Sequence, residues 1–543
     1  MITRYKKYFL IVIITLACLL RFYRLNSFPA FNADEAAIGY NAYSLITTGM
    51  DEHANPWPIH FQSFNDYKPG LYFYLVLPFV KALGLNEWAV RIPGALAGVG
   101  TVIILYYLVK RLFSDDSLAL ASSFFLAISP WHIHFSRGGW EVNVATFFIT
   151  LGIWFFLKGL TNSKYFVLCT LTFALSLYTY HAARVVVPLL ILGMAFINRK
   201  VIKPNIKTLA VSGLVAIILL LPLGLDFAKG EVRARAAGVG LFADPGPLSR
   251  INEQRGEHQD YLALMPKIFH NKVVNYSLAF AQNYSQHFWG EFLFLTGDTI
   301  ERNKVPETGQ MYLFDILLLA AGFIAIVKKP KGWGLILLWL VVAPTAAALT
   351  FQSPHALRAQ NMVIPLVIIS AYGFVTLLDW LSRVLHRPHI LYATYLILLL
   401  LIGWNFARYL HLYYVHMAKE FPFSSQYGVK ELVTFVQGTE AKYDKVIVTD
   451  RYDQPYILFL FYLKYPPQKF QIEHSLSPKD KYGFSTVRSF GKYEFIPIIY
   501  DKVQPANPGS LIVGTIEEIP KEANIVKNIY GTNGFLYFEV VAN

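Results

Sequence analysis

The chain has 543 residues, of which 55% are hydrophobic and only 15% charged, with a mean hydropathy of +0.40. That balance excludes an ordinary soluble globular protein and points to one embedded in a bilayer. A formal charge of +13 would by itself suit nucleic acid, but membrane proteins gather Lys and Arg in cytoplasmic loops, so the location of the charges decides.

A spanning helix needs about 20 mostly apolar residues. On that measure segments 8–23, 89–109, 117–135, 142–157, 165–180, 185–197, 208–227, 311–327, 332–351, 362–381 and 390–410 qualify. Basic residues cluster between them: Arg4, Lys6 and Lys7; Lys110 and Arg111; Lys158 and Lys164; Arg199, Lys200, Lys203 and Lys207; Lys328, Lys329 and Lys331; Arg383 and Arg387. They fall on alternate connections, which the positive-inside rule reads as cytoplasmic, and they account for the excess charge without nucleic acid. With the N-terminus inside, 31–70, 227–310 and everything after 411 are extracytoplasmic.

The first apolar run follows a basic start and precedes AFNA before Asp34, a pattern shared with signal peptides. Ala30 and Ala33 match the cleavage rule thinly, so the run is read as a retained span. Segment 71–83, LYFYLVLPFVKAL, holds Pro78 and Lys81 and is too short to cross; it is expected to lie in the outer interface as an amphipathic helix. The tail, 412–543, changes character. SSQYGVKELVTFVQGTE reads as a helix, and the apolar runs DKVIVTD, YILFLFYL, EFIPIIY and SLIVGT are separated by turn residues, a pattern of a small α/β domain.

Ionisable residues in or beside apolar spans are costly and mark function more often than elsewhere. Arg137, Glu141, His181, Arg184, Asp226 and Arg358 share the outer level with Asp34, Asp66 and Lys68, and together are expected to line one cavity. Each alone reads equally as a residue snorkelling at a helix end. Asp34 is either the N-cap of the helix that begins there, with Glu35 in its first turn, or a carboxylate that takes a proton from an acceptor hydroxyl. Lys68, before Pro69-Gly70 at a helix start, suits a phosphate. His132 and His134 have metal-like spacing only on a strand, and their aromatic neighbours favour an interfacial place. No D-x-D, Walker, G-x-S-x-G or H-E-x-x-H motif occurs, and Cys18 and Cys169 lie in apolar runs, so neither a disulfide framework nor a cysteine metal site is expected. No cofactor is required, although clustered carboxylates and histidines leave a divalent cation open.

The ordered set of Asp34-Glu35 after the first span, Lys68-Pro69 before LYFYLVLPF, AVRIPGALAGVGTVIILYYLVKRLF, and PHALRA before a late span resembles the GT-C superfamily. The likeness covers roughly residues 1 to 385 and is to family 39 with its bacterial relatives, the protein mannosyltransferases and aminoarabinose transferases. It implies an α-helical polytopic protein of about 11–13 transmembrane helices, a GT-C domain over 1–411 with its catalytic first loop at 26–88, and a C-terminal extracytoplasmic α/β domain at 412–543. It also implies an inverting hexosyl- or pentosyltransferase of the cell membrane, moving sugar from a polyprenyl-phosphate donor to an extracytoplasmic acceptor. Carried to matching positions, Asp34 is the catalytic base with Glu35 beside it, and Lys68 binds the donor phosphate, joined by Arg137, Arg184 and Arg358. Asp66, Glu141, His181 and Asp226 complete the cavity. The tail lacks the WWDYG-type motif of oligosaccharyltransferases and 227–310 is too short for the repeats of eukaryotic protein mannosyltransferases, so the acceptor stays open among lipid, glycan and protein. The readings from other classes are a secondary transporter, for which the inverted repeats are missing, and a non-catalytic membrane scaffold.

Overall fold

The computed structural model describes residues 2–64, 66–228, 238–422, 424, 426–452, 454–478 and 485–543. Each apolar segment expected to span is helical. Among the described residues five helices are long and apolar enough to cross a membrane: Glu87–Phe113, Glu141–Gly159, Ile206–Ala228, Gln360–Val384 and Pro388–Glu420. The pair Asp116–Ile128 and Pro130–Ser136 makes a sixth if counted as one span, bent by 58°. The bend has a local cause: Pro130 lacks an amide hydrogen and pushes Ser129 to ψ 126, out of the helical region. In Ile206–Ala228 and Pro388–Glu420 only 11% and 6% of the most apolar window is buried. Such long greasy surfaces need a lipid solvent, and the chain is a multi-pass membrane protein.

The chain divides into two compact units. The first comprises Met1–Leu20, Ala97–Phe135 and Val142–Tyr409. Its helices approach closely where side chains vanish: a Cβ on Gly373 would strike the carbonyl of Leu318, and one on Gly322 the carbonyl of Ile369. This glycine seam joins Phe314–Lys328 to Val363–Val384, and Ser370 donates across it to Asp315.

The second unit comprises Arg21–Leu96, Ser136–Glu141 and Leu410–Asn543, so the first polar loop and the C-terminal stretch share one body. Its loop part runs through the helix Ala33–Thr48, the hairpin β1 (His60–Ser63) and β2 (Asp66–Pro69), and the helix Leu71–Leu83. The side chains of Asp66 and Lys203 lie outside the described residues. The C-terminal part is the expected α/β arrangement, with strands β3 (Lys445–Thr449), β4 (Ser475–Leu476), β5 (Val487–Phe490), β6 (Tyr493–Ile496), β7 (Ser510–Gly514), β8 (Ile525–Tyr530) and β9 (Leu536–Ala542). They order as β4-β5-β6-β3-β7-β9-β8, with β3 parallel to β6 and β7 and the other pairs antiparallel.

The run YILFLFYL, grouped with the strand-like runs in the sequence, is instead helical within Pro455–Leu463, where Pro455 supplies a helix-ready first position. An apolar run buried on all sides has no periodicity to separate strand from helix. This helix packs on Ala33–Thr48: a Cβ on Gly39 would lie 2.6 Å from Phe461 and 2.7 Å from Val90, so only glycine permits the approach. Gln471 Nε2 donates to Ser44 Oγ (3.2 Å), Thr48 Oγ1 (3.2 Å) and the Asp51 carbonyl (2.8 Å), and Tyr40 Oη donates to the Tyr465 carbonyl at 3.0 Å.

Candidate functional site

The helix Ala33–Thr48 starts with a capping box. Asn32 has extended backbone and its side chain accepts from Glu35 N at 3.0 Å, while the Glu35 carboxylate accepts from Asn32 N at 3.4 Å. The cap is therefore Asn32, and the reading of Asp34 as N-cap is corrected: the side chain two positions earlier already satisfies the first-turn amide. Asp34 instead projects from the first turn, where the helix dipole favours a carboxylate. Lys68, opposite Phe61 in the hairpin register, donates to Asp34 Oδ1 at 2.5 Å. The Asp34 and Lys68 side chains are 25% and 11% exposed respectively, so the pair is reachable but not bathed in solvent. Lys68 Nζ also lies 5.7 Å from the Phe64 ring centroid.

Glu35 has different surroundings from its neighbour. Fully buried, it takes a bidentate contact from Arg91, Nε to Oε1 and Nη2 to Oε2, both at 2.6 Å, and Gly139 N donates to Oε1 at 2.8 Å. Arg91 further donates to the carbonyls of Leu25 (2.8 Å), Pro29 (2.9 Å) and Ala30 (3.1 Å). One guanidinium thus fixes the turn from Leu25 to Ala30 against the helix that carries Asp34. Such a pair is tolerable away from water because its donors and acceptors are satisfied.

Arg137, expected among the phosphate ligands, is wholly buried and committed elsewhere. It donates to Tyr413 Oη (3.2 Å) and to the carbonyls of Tyr23 (2.7 Å) and Phe28 (3.2 Å), over the rings of Tyr413 and Tyr414. Glu141 is buried at the start of Glu141–Gly159. Thus Asp34, Glu35, Lys68, Arg137 and Glu141 fall in one unit, with Asp34 and Lys68 in direct contact.

His181, Arg184, Asp226 and Arg358 belong to the other unit. There Arg184 meets His181 Nδ1 at 2.9 Å, donates to the Leu177 carbonyl at 3.1 Å and lies 4.8 Å from the Phe227 ring, with Asp226 near enough to attract it. Arg358 donates to Thr350 Oγ1 at 2.7 Å. Nearby Asp298 accepts from Ala356 N at 2.6 Å, and burial raises its carboxyl above the usual range. His132 and His134 are buried on the helix Pro130–Ser136 rather than on a strand; two positions apart on a helix, they do not face each other. Among the described residues no group of three His, Cys, Asp or Glu could hold a metal.

Sequence reasoning missed Arg91 and the acidic step Asp51-Glu52. Arg91 had a signal, a charge inside an apolar span. Asp51 is a turn residue, accepting from His53 N (2.9 Å) and Asn55 N (2.8 Å). Glu52 is fully buried and burial, reinforced by Asp51, pushes its carboxyl up to about 8, against the pull of the Asn41 side chain and of Lys68. No spacing rule marks it.

Residues 67–224 match the family described as dolichyl-phosphate-mannose-protein mannosyltransferase. A protein of Aquifex aeolicus (strain VF5) with no assigned function is 25% identical over 409 residues, covering 70% of this chain and 78% of that one. YycA of Bacillus subtilis (strain 168), provisionally named a mannosyltransferase, is 30% identical over 165 residues, which is 30% of this chain but only 23% of YycA. ArnT from Cupriavidus metallidurans, solved with undecaprenyl phosphate, superposes with a TM-score of 0.55 at 11% identity, over 98% of this chain and 97% of its own. The oligosaccharyltransferase AglB from Archaeoglobus fulgidus, solved with an inhibitory peptide and a dolichol-phosphate, superposes at 0.50 and 13% identity, over 85% of this chain and 64% of its own. At such identities the likeness is one of fold. Part of the chain thus resembles a mannosyltransferase family, and its helical body followed by a C-terminal sheet has the fold of the membrane glycosyltransferases ArnT and AglB.

Proposed function

We propose that the protein is an inverting glycosyltransferase that moves a hexosyl or pentosyl group from a polyprenyl-phosphate donor to an extracytoplasmic acceptor, with its N-terminus cytoplasmic. The observation that carries this reading is the half-buried Asp34–Lys68 pair at 2.5 Å, held on a capped helix start and a hairpin strand. The lipid phosphates in the ArnT and AglB structures support the donor class, and the 412–543 stretch is taken as the part that helps select the acceptor.

The chemistry needs few parts. Asp34 takes the proton of the acceptor hydroxyl as its oxygen bonds to the anomeric carbon, and the bond from that carbon to the phosphate oxygen breaks, its electron pair leaving with the lipid phosphate. Lys68 offsets the charge that grows there. In the structure Lys68 occupies Asp34, so arriving phosphate would draw the ammonium away and free the carboxylate for its proton. Glu35, Arg91 and Arg137 position these groups.

The test is transfer and binding by purified protein with polyprenyl-phosphate sugars. Asp34→Asn keeps shape but cannot take the proton, so transfer should fall by about 10² or more while donor still binds. Lys68→Ala should weaken binding of the lipid phosphate as well as rate. An Asp34→Asn protein with more than about half the original rate removes the general-base assignment.

A further inference from the structure

The unit that holds Asp34 and Lys68 also holds a buried carboxyl whose oxygens make no hydrogen bond of good geometry, although the Asn41 side chain is near enough to favour its charged form. This is Glu52, which is fully buried. His53 Nε2 stands 3.6 Å from Oε1, beyond a good hydrogen bond. The Asn41 amide is donated to the Ala37 carbonyl at 2.9 Å, and its oxygen accepts the Glu52 backbone amide at 2.9 Å. Proteins satisfy nearly all such groups, so an orphan carboxyl beside a candidate reaction centre marks a ligand position.

A second, independent feature lies beside Lys68. Ser63 pairs with Asp66 in the hairpin register, and Phe64, next after Ser63, has φ +56. Such a conformation favours Asn or Gly; a bulky side chain there is strained, and strain of this kind collects at ligand sites. The ring it presents lies under Lys68 Nζ and 6.1 Å from the ring of Tyr456, which is close enough to Glu52 for the two to interact electrostatically. Beside it in the chain, the buried Ser63 hydroxyl is likewise without a hydrogen bond.

We propose that Glu52 and Phe64 form the subsite for the donor's sugar, the carboxyl bonding a ring hydroxyl and the aromatic ring covering the sugar's apolar face. This rests on the reading of Lys68 as ligand of the donor phosphate. A sugar bonded directly to that phosphate places its hydroxyls within one ring's width of Lys68, and Glu52 is close enough to sense the Lys68 charge. Because burial keeps the Glu52 carboxyl protonated to about 8, it offers one donor and one acceptor, the complement of a hydroxyl.

Full-length protein in lipid nanodiscs, titrated with undecaprenyl phosphate and with a panel of undecaprenyl-phosphate hexoses and pentoses, isolates the sugar's contribution as the tightening over bare lipid phosphate. We expect at least one glycosylated lipid to bind about tenfold tighter than the bare one. Glu52→Ala should erase that gain while leaving bare-lipid affinity within about twofold, and Glu52→Gln, which keeps a donor and an acceptor, should retain part of it. A wild-type protein showing no gain with any sugar overturns the subsite. So does a Glu52→Ala protein that keeps the gain, that loses bare-lipid binding equally, or that changes only the acceptor KM. Failure of the underlying reading looks different: Lys68→Ala would then leave bare-lipid affinity unchanged.

Discussion

Replacing Arg91 tests whether the loop that carries Asp34 is held by one buried ion pair. Glu35 and Arg91 are at most 1% exposed and share two 2.6 Å contacts. Arg91→Met keeps bulk but leaves Glu35 a buried charge facing the Asn32 and Gly139 amides without its guanidinium, and takes that guanidinium from three carbonyls. Breaking a buried pair from one side costs about 3–5 kcal/mol, and the lost carbonyl contacts put Arg91→Met at the upper end. Glu35→Gln should cost less, about 1.5–3 kcal/mol, because Arg91 keeps its carbonyls. In the double variant no charge remains unpaired, so the loss should fall short of the sum by about 1.5 kcal/mol or more. Reversible unfolding in mixed micelles, followed by tryptophan fluorescence, gives all three values. Single losses below about 1 kcal/mol, or additivity within about 0.5 kcal/mol, would refute a pair that fixes the loop.

The alternation of basic connections predicts that cysteines placed near residues 55, 260 and 470 react with an impermeant reagent on intact cells, while those near 203 and 330 do not; protection of the first three would sink the proposed sidedness. Glu52 also predicts a pH dependence of stability. Its carboxyl, ordinarily near 4.5, stays protonated to about 8 when folded, so its contribution is full at low pH and is lost as pH rises toward 8. His53, held down to about 4 by burial, acts in the opposite sense below 6.5. Between pH 6.5 and 8 Glu52 therefore dominates. Thermal stability should decline across that window in the wild type and decline less in Glu52→Gln; parallel profiles would contradict the buried protonated carboxyl.

Much of the helical body was legible because lipid imposes one rule, that a span be long and apolar, and composition alone reports it. The break at Pro130 and the glycine seam at Gly322 and Gly373 were not, since both depend on what stands opposite. The C-terminal stretch was legible as α/β but not as a companion of the first loop. What joins them is Phe461 against Gly39 and Gln471 against Ser44 and Thr48, contacts more than 400 residues apart that no local pattern announces.

The candidate site divides along the same line. Asp34 and Lys68 stood out as charges in a short polar stretch between greasy ones, and the structure brings them into contact across 34 residues. The sequence showed Glu35 and Arg137 as charges of the same standing, yet both are enclosed and their hydrogen bonds hold the backbone. A charged residue in an apolar setting announces only that its cost is offset somewhere. Whether a neighbour or a substrate offsets it depends on the partners, and partners are a property of the fold. Glu35 is met by Arg91 and Gly139, so its charge is accounted for without a ligand. Glu52, one step into an ordinary-looking Asp-Glu-His, is not, and for that reason the residue with the weakest sequence signal makes the sharper claim on a substrate.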